Sequence, residues 1–178
     1  LTSSAWTAAR NRRKLVSKSS LGTDFVSINT KKITDKRVRQ AIELGVNKED
    51  ISTAVFEGMT ELAPSLLAPS VFGYDKNVKL KPYNPEKAKE LLKEAGYENG
   101  LKLELWIYEE PTRMQMAQVI QSNLKEIGID VSIQVLELSS FLQFTANGQH
   151  DMLIGLWYVS TGDADYGYYP LLHSSSAG

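Results

Sequence analysis

Residues 101–135 read LKLELWIYEEPTRMQMAQVIQSNLKEIGIDVSIQV. Leu101, Leu103, Leu105 and Ile107 recur at every second position, the period of a strand with one buried face. Pro111-Thr112 then opens a helix, because proline at the first helical position loses no hydrogen bond there. Met116, Ala117, Ile120, Leu124 and Ile127 fall on one side of that helix, and Gly128 ends it. Ile129, Val131, Ile133 and Val135 alternate again. Strand, helix and strand joined by short turns make a right-handed crossover, so the two strands should be parallel. The class that follows is α/β.

Upstream, Asn84-Pro85-Glu86 supplies a cap, a proline at the first helical position and an acid in the first turn. Ala88, Leu91, Leu92 and Ala95 form its buried stripe before Gly96. Residues 60–83 contain Pro64, Pro69 and Pro82 and read as a long ordered loop, since Leu66, Leu67, Val71, Phe72 and Tyr74 need cover. Thr34 is expected to cap a helix running through Leu44, and Asn47 a second that Gly58 closes, together an αα-hairpin. Thr23 to Asn29 is rich in β-formers and reads as a strand.

Downstream, Ser139-Ser140 is expected to cap a short helix carrying Phe141, Leu142 and Phe144. Met152 to Tyr158 is then an apolar run bounded by polar residues, the pattern of a strand buried on both faces. Ser160-Thr161-Gly162-Asp163-Ala164-Asp165 follows as a loop, and Tyr166, Tyr168 and Tyr169 after it. A strand that delivers acids and aromatic rings to its C-terminal end is where an open α/β sheet places ligands.

The length of 178 residues suits one domain with a substantial core. Net charge is −1, so no global field favours nucleic acid. Residues 1–18 nevertheless hold Arg10, Arg12, Arg13, Lys14 and Lys18 and no acid, leaving the other 15 basic residues to face all 21 acids, a net of −6. Residues 1–20 are read as a poorly ordered basic arm or a truncation boundary, with an interaction module as the other use of such an arm. Cysteine is absent, which excludes disulfides, thiolate metal sites and cysteine nucleophiles. No stretch approaches the ~20 apolar residues of a membrane span.

Asp163-Ala164-Asp165 is the sharpest polar feature. Paired carboxylates two apart suit a divalent metal with a sugar nucleotide, hence a metal-dependent glycosyltransferase. They equally suit capture of a ligand's ammonium group, or a solvated acidic turn. Arg113, at a helix start just after a strand end, reads as a partner for an anionic group or as an exposed first-turn arginine. Trp106 and Tyr108 lie on the polar face of their strand, where the loop at 60–83 covers them or they line a cleft. Asn29 ends the first strand and is open to either a scaffold or a ligand role. His150 and His173 are the only histidines and have no spacing for zinc. No phosphate-binding, dinucleotide-binding or nucleophile-elbow motif is present, so no cofactor is indicated.

Several segments in order resemble the second-lobe region of the solute-binding proteins of peptide-type ABC importers, the family of dipeptide, oligopeptide, nickel and glutathione binders. Phe25-Val26-Ser27-Ile28-Asn29-Thr30 is similar to the family's strand ending in asparagine. Asp35-Lys36-Arg37-Val38-Arg39-Gln40-Ala41-Ile42 resembles its D-x-R-V-R-Q-A helix, followed by Asn47-Lys48-Glu49-Asp50-Ile51. Tyr83-Asn84-Pro85-Glu86-Lys87-Ala88 through Leu91-Leu92-Lys93-Glu94-Ala95-Gly96-Tyr97 is similar to Y-D-P-x-K-A-x-x-L-L-x-E-A-G-Y. Glu126-Ile127-Gly128-Ile129-Asp130-Val131 matches the turn from long helix to strand. The likeness spans about residues 21–174.

The resemblance implies a binding protein and not an enzyme, without a cofactor. The fold it implies is α/β, a mixed sheet with flanking helices, one lobe of a two-lobed periplasmic-binding-protein-like architecture. Residues 21–178 would be the ligand-binding lobe, partnered by a missing first lobe, a peptide or glutathione-like ligand and the membrane permease of an ABC importer. The location implied is extracytoplasmic, in a periplasm or lipid-anchored at the outer face of the cell membrane. In relatives an acid a few residues after the tryptophan of the last strand pairs with a peptide's α-ammonium. Here Trp157 is followed by Tyr158-Val159-Ser160, so that acid is displaced to Asp163 or Asp165. The pattern W-x-x-x-T-G-[DE]-A-D looks like a branch that includes glutathione-binding members. The ligand-binding residues implied are Asp163, Asp165, Trp157, Tyr158, Thr161, Gly162, Tyr166, Asn29 and Arg113.

Overall fold

The structure, a computed structural model, describes residues 20–173. Nearly all of the basic arm lies outside the described residues. Ten elements follow in chain order: β1 Gly22–Ile28, α1 Lys36–Gly45, α2 Lys48–Phe56, α3 Pro85–Glu94, β2 Leu101–Tyr108, α4 Pro111–Glu126, β3 Ile129–Leu136, α5 Leu138–Ala146, β4 Met152–Tyr158 and α6 Ala164–Leu172. The strands form one mixed sheet in the order β1-β4-β2-β3. β2 runs parallel to β3 and β4, as the crossover reading requires, and β1 runs antiparallel to β4 with Gly22 opposite Tyr158 and Ile28 opposite Met152.

The two faces of the sheet are covered differently. Leu103, Leu105 and Ile107 share one face with Met152 and Ile154, and α4 lays Met116, Ala117, Ile120 and Leu124 on it. Packing α1 against α3, and α2 against α4, extends this core outward. The opposite face carries Trp106 and Tyr108, which meet Phe144 and Phe141 of α5 edge to face at 6.4 and 5.6 Å. The helix α5, not the loop at 60–83, therefore covers these two rings, and Trp106 is buried.

The loop at 60–83 packs elsewhere. Leu67, Ala68 and Val71 join Val159 in a second, smaller cluster below the C-terminal end of β4, with Trp157 and Ala164 against it. Leu67 and Val71 find the expected cover, whereas Phe72 remains 78% exposed. Strand β4 is likewise less enclosed than its apolar run predicts: Met152 and Ile154 are buried, but Leu153, Gly155, Leu156 and Trp157 only partly so.

Two helix starts depart from the expected caps. Asp35, not Thr34, accepts from the Arg37 amide at the start of α1. Glu137, not Ser139 or Ser140, caps α5 and accepts from both of their amides. In both cases a carboxylate does the work expected of a hydroxyl and adds charge at the positive helix end. The tyrosines after Asp165 lie in α6, whose Gly167 and Pro170 hide any helical signal in the sequence.

Candidate ligand-binding site

Ligands of open α/β sheets bind beyond the C-terminal ends of the parallel strands. Here that edge is reached by Tyr108, Leu136 and Tyr158, and Gly22 joins it by pairing with Tyr158. A Cβ on Gly22 would come within 2.5 Å of the Tyr158 ring, so glycine is what lets the ring lie across β1. Two groups of candidate residues lie toward this edge, on opposite faces of the sheet.

The first group follows β4. Trp157 points to the sheet face opposite Leu156, and its indole Nε1 donates to the Tyr166 carbonyl at 3.1 Å. Its ring stands 5.6 Å from the Tyr166 ring at an interplanar angle of 34°. Past buried Val159 the chain turns through Gly162 at φ 72°, a conformation that favours glycine. Thr161 Oγ1 accepts from the Asp163 amide at 3.3 Å. Asp163 then accepts from the Asp165 amide at 2.9 Å and caps α6. The loop at 60–83 clamps this turn, since the Phe72 amide donates to the Gly162 carbonyl at 2.8 Å and the Ala164 amide to the Phe72 carbonyl at 3.0 Å. The carboxylates of Asp163 and Asp165 thus stand exposed on a turn whose backbone is held from both sides. Tyr158 and Tyr166 are exposed beside them.

Arg113 forms the second group. The expectation of an exposed first-turn arginine fails, because the residue is 3% exposed beneath β4 and β1. Its Nη1 donates to the Ile154 carbonyl at 3.2 Å, and its Cζ lies 4.3 Å from the centre of the Tyr108 ring. Asp24 Oδ1 is 3.7 Å from Nη2. Arg113 Nε has no hydrogen-bond partner although it is buried. Burial pushes the Asp24 carboxyl above its usual range, against the opposing pull of the Arg113 charge and with a further upward push from Glu110. Glu110 caps α4 through the amides of Thr112 and Arg113, and these hydrogen bonds outweigh its own burial and hold it below the usual range. Sequence reasoning missed Asp24. Its only signal was an acid among the β-formers of an edge strand.

Asn29 does not join either group. It follows Ile28, which pairs with Met152, while the acidic turn follows Tyr158 at the other end of β4. Six strand steps separate the two ends, about 20 Å. Both Asn29 Nδ2 hydrogens go to backbone carbonyls, those of Gly148 at 2.9 Å and His150 at 3.0 Å, and Oδ1 accepts from the Lys31 amide at 3.0 Å. Near it His150 is buried with Nδ1 unpartnered; burial first, then the Lys32 charge, lowers its pKa below 6.5.

Among the described residues no group of three or more histidine, cysteine, aspartate or glutamate side chains could hold a metal ion. No helix among them is long and apolar enough to cross a membrane. The model of the bacterial extracellular solute-binding proteins, family 5 Middle, matches residues 2–178. The chain belongs to this family. It is 34% identical over 164 residues to the dipeptide-binding protein of Escherichia coli, covering 88% of this chain and 30% of that one. With heme-binding protein A of Haemophilus influenzae it shares 32% over 172 residues, 93% of this chain and 31% of the other. A periplasmic binding protein of Helicobacter pylori in complex with peptide STSA superposes with a TM-score of 0.80 at 35% identity, over 85% of this chain and 30% of that one. The chain therefore spans about 30% of the length of these relatives. The fold is that of part of a peptide- and nickel-type solute-binding protein. Membership in a solute-binding family gives no support to the metal-dependent glycosyltransferase expectation.

Proposed function

We propose that this chain is the ligand-gripping lobe of the substrate-binding component of an ABC importer for peptides. The observation that carries the reading is the clamped acidic turn: Asp163 and Asp165, exposed beside Trp157 and Tyr166, at the edge where the parallel strands end. A peptide's α-ammonium needs a carboxylate fixed in place, and its side chains need apolar walls with few polar demands. Thr161 and Gly162 shape the turn, Tyr158 widens the aromatic wall, and Arg113, buried beneath β4 and β1, is the group to partner a carboxylate once it is uncovered. Asn29 serves this site by holding the far end of β1. Glutathione, a tripeptide with an α-ammonium and two carboxylates, fits the same chemistry and is one member of the ligand class.

The site is open on one side, and in the whole protein the first lobe closes over it by hinge motion. A permease then receives the closed, loaded form at the outer face of the membrane. Binding without chemical change is the activity, consistent with relatives that are solute-binding proteins.

Asp163→Asn and Asp165→Asn separate charge from capping, because asparagine caps a helix about as well as aspartate. In the protein at its full natural length, calorimetry with dipeptides should show one of them weakening binding by about 1–3 kcal/mol, the scale of a hydrogen bond to a charged group. Unchanged affinity in both variants would remove the acidic turn from the site.

A further inference from the structure

Arg113 is a buried cation with an unfinished set of partners. One edge of its guanidinium, Nε and Nη2, lacks a hydrogen bond: Nε has none, and Nη2 has only Asp24 Oδ1 at 3.7 Å. That distance is within ion-pair reach but well beyond the ~2.8 Å of a charge-assisted hydrogen bond. Glu110, the other acid nearby, has both carboxylate oxygens on the amides of Thr112 and Arg113. Asp24 is therefore the counter-ion that keeps a buried arginine from standing alone, at a distance that leaves the contact loose. Its side chain is 41% exposed, against 3% for Arg113, so Asp24 is the member of the pair that meets solvent.

We propose that Asp24 is a built-in competitor for the ligand's carboxylate, holding the Nε/Nη2 edge of Arg113 in the open lobe and giving it up when a peptide carboxylate takes both nitrogens. This rests on the reading of Arg113 as the carboxylate partner. A planar carboxylate fits that edge with two parallel hydrogen bonds, which one loosely placed aspartate oxygen does not make. Asp24 thereby lowers the affinity for every free-acid ligand and sets how much the site prefers an acid over an amide. The charged groups facing Asp24 are Arg113 of α4 and Glu110 of its cap. Once the arginine turns to the ligand, Asp24 is a half-buried carboxylate beside Glu110 and takes up a proton more readily. Binding of a free acid consequently strengthens from neutral to mildly acidic pH.

The test uses the full-length protein, the peptides Ala-Leu and Ala-Ala-Leu, and their C-terminal amides, each titrated calorimetrically at neutral and mildly acidic pH. The wild type is expected to bind the free acids more tightly than the amides, which reads Arg113 alone. Asp24→Asn is expected to tighten the free acids by about fivefold, the scale of a half-exposed ion pair. It should leave the amides unchanged and flatten the pH dependence, while Asp24→Glu restores both. An acid preference in the wild type that Asp24→Asn neither raises nor makes independent of pH overturns the competitor role and leaves Arg113 in place. Equal affinity of acids and amides in the wild type overturns Arg113 as carboxylate partner, and the competitor role with it. No binding of any of the four probes overturns the peptide reading itself.

Discussion

Replacing Asn29 by alanine should cost stability and leave ligand affinity alone. The side chain makes three hydrogen bonds, two donated to the carbonyls of Gly148 and His150 and one accepted from the Lys31 amide. The donated pair joins positions 119 and 121 residues apart in sequence, so neither bond survives in the unfolded chain. At about 1 kcal/mol net for each bond, the full loss is about 3 kcal/mol. The Lys31 amide lies at an exposed site where water replaces the lost acceptor, which reduces the expected cost to about 2 kcal/mol. Urea unfolding followed by circular dichroism measures it as a lower midpoint at unchanged slope. Peptide titration of the same variant should give the wild-type affinity, because Asn29 sits at the edge of the sheet remote from the acidic turn. A cost below ~0.5 kcal/mol would refute the clip. So would weakened ligand binding at undiminished stability, which would place Asn29 in the site.

His150 gives a pH dependence of known sign. Its folded pKa lies below 6.5, so as pH falls through 6.5 the unfolded chain binds a proton that the folded chain refuses, and stability drops until the folded pKa is reached. His150→Leu should flatten that slope in urea midpoints taken across the range; an unaltered slope would show that His150 is not its source. Gly167→Ala tests the seat of the long loop, since its Cβ would meet Leu67 Cδ2 at 2.7 Å and Val159 Cγ2 at 3.3 Å. Alanine gains about 1 kcal/mol of helix propensity, but overpacking a buried leucine costs about 1–3 kcal/mol. Net destabilisation with faster proteolysis within 60–83 is expected, and a stabilised variant would mean that the loop yields freely.

Legibility in the sequence followed how local the deciding physics was. β2, α4 and β3 were readable because each carries its own period, and proline, glycine and short turns fixed how they connect. The direction of β1 was not readable, since nothing within Gly22–Ile28 tells which neighbour it pairs with or which way it runs. The resemblance placed Asn29 with the ligand residues, whereas antiparallel pairing carries it to the far edge. Helix α6 was hidden by Gly167, Pro170 and three tyrosines. It depends on the Asp163 cap and on a loop arriving from 90 residues earlier, Phe72 against Asp163. Arg113 looked exposed because first-turn positions usually are. Its burial comes from β4 and β1 closing over it, a tertiary effect with no local trace.

The two groups at the edge share one reference, β4. Asp24 stands opposite Leu156 on one face of the sheet, Trp157 points to the other, and the acidic turn leaves from the strand's end. Slipping β1 by one residue would move Asp24 to the wrong face, away from Arg113, and would put Phe25 off its partner Gly155. The Gly155 pairing resists that slip, because a Cβ there would lie 2.6 Å from the Phe25 ring, and the ring packs where a side chain would otherwise be. Register therefore fixes the spacing between a buried cation and exposed carboxylates before any ligand arrives. On the proposed reading, a ligand with opposite charges at its two ends would meet both at a separation set by folding, which would lower the ordering cost of binding. Ligands with one charged end would, on that reading, use only half of that arrangement, and charge separation would be one basis on which the lobe discriminates.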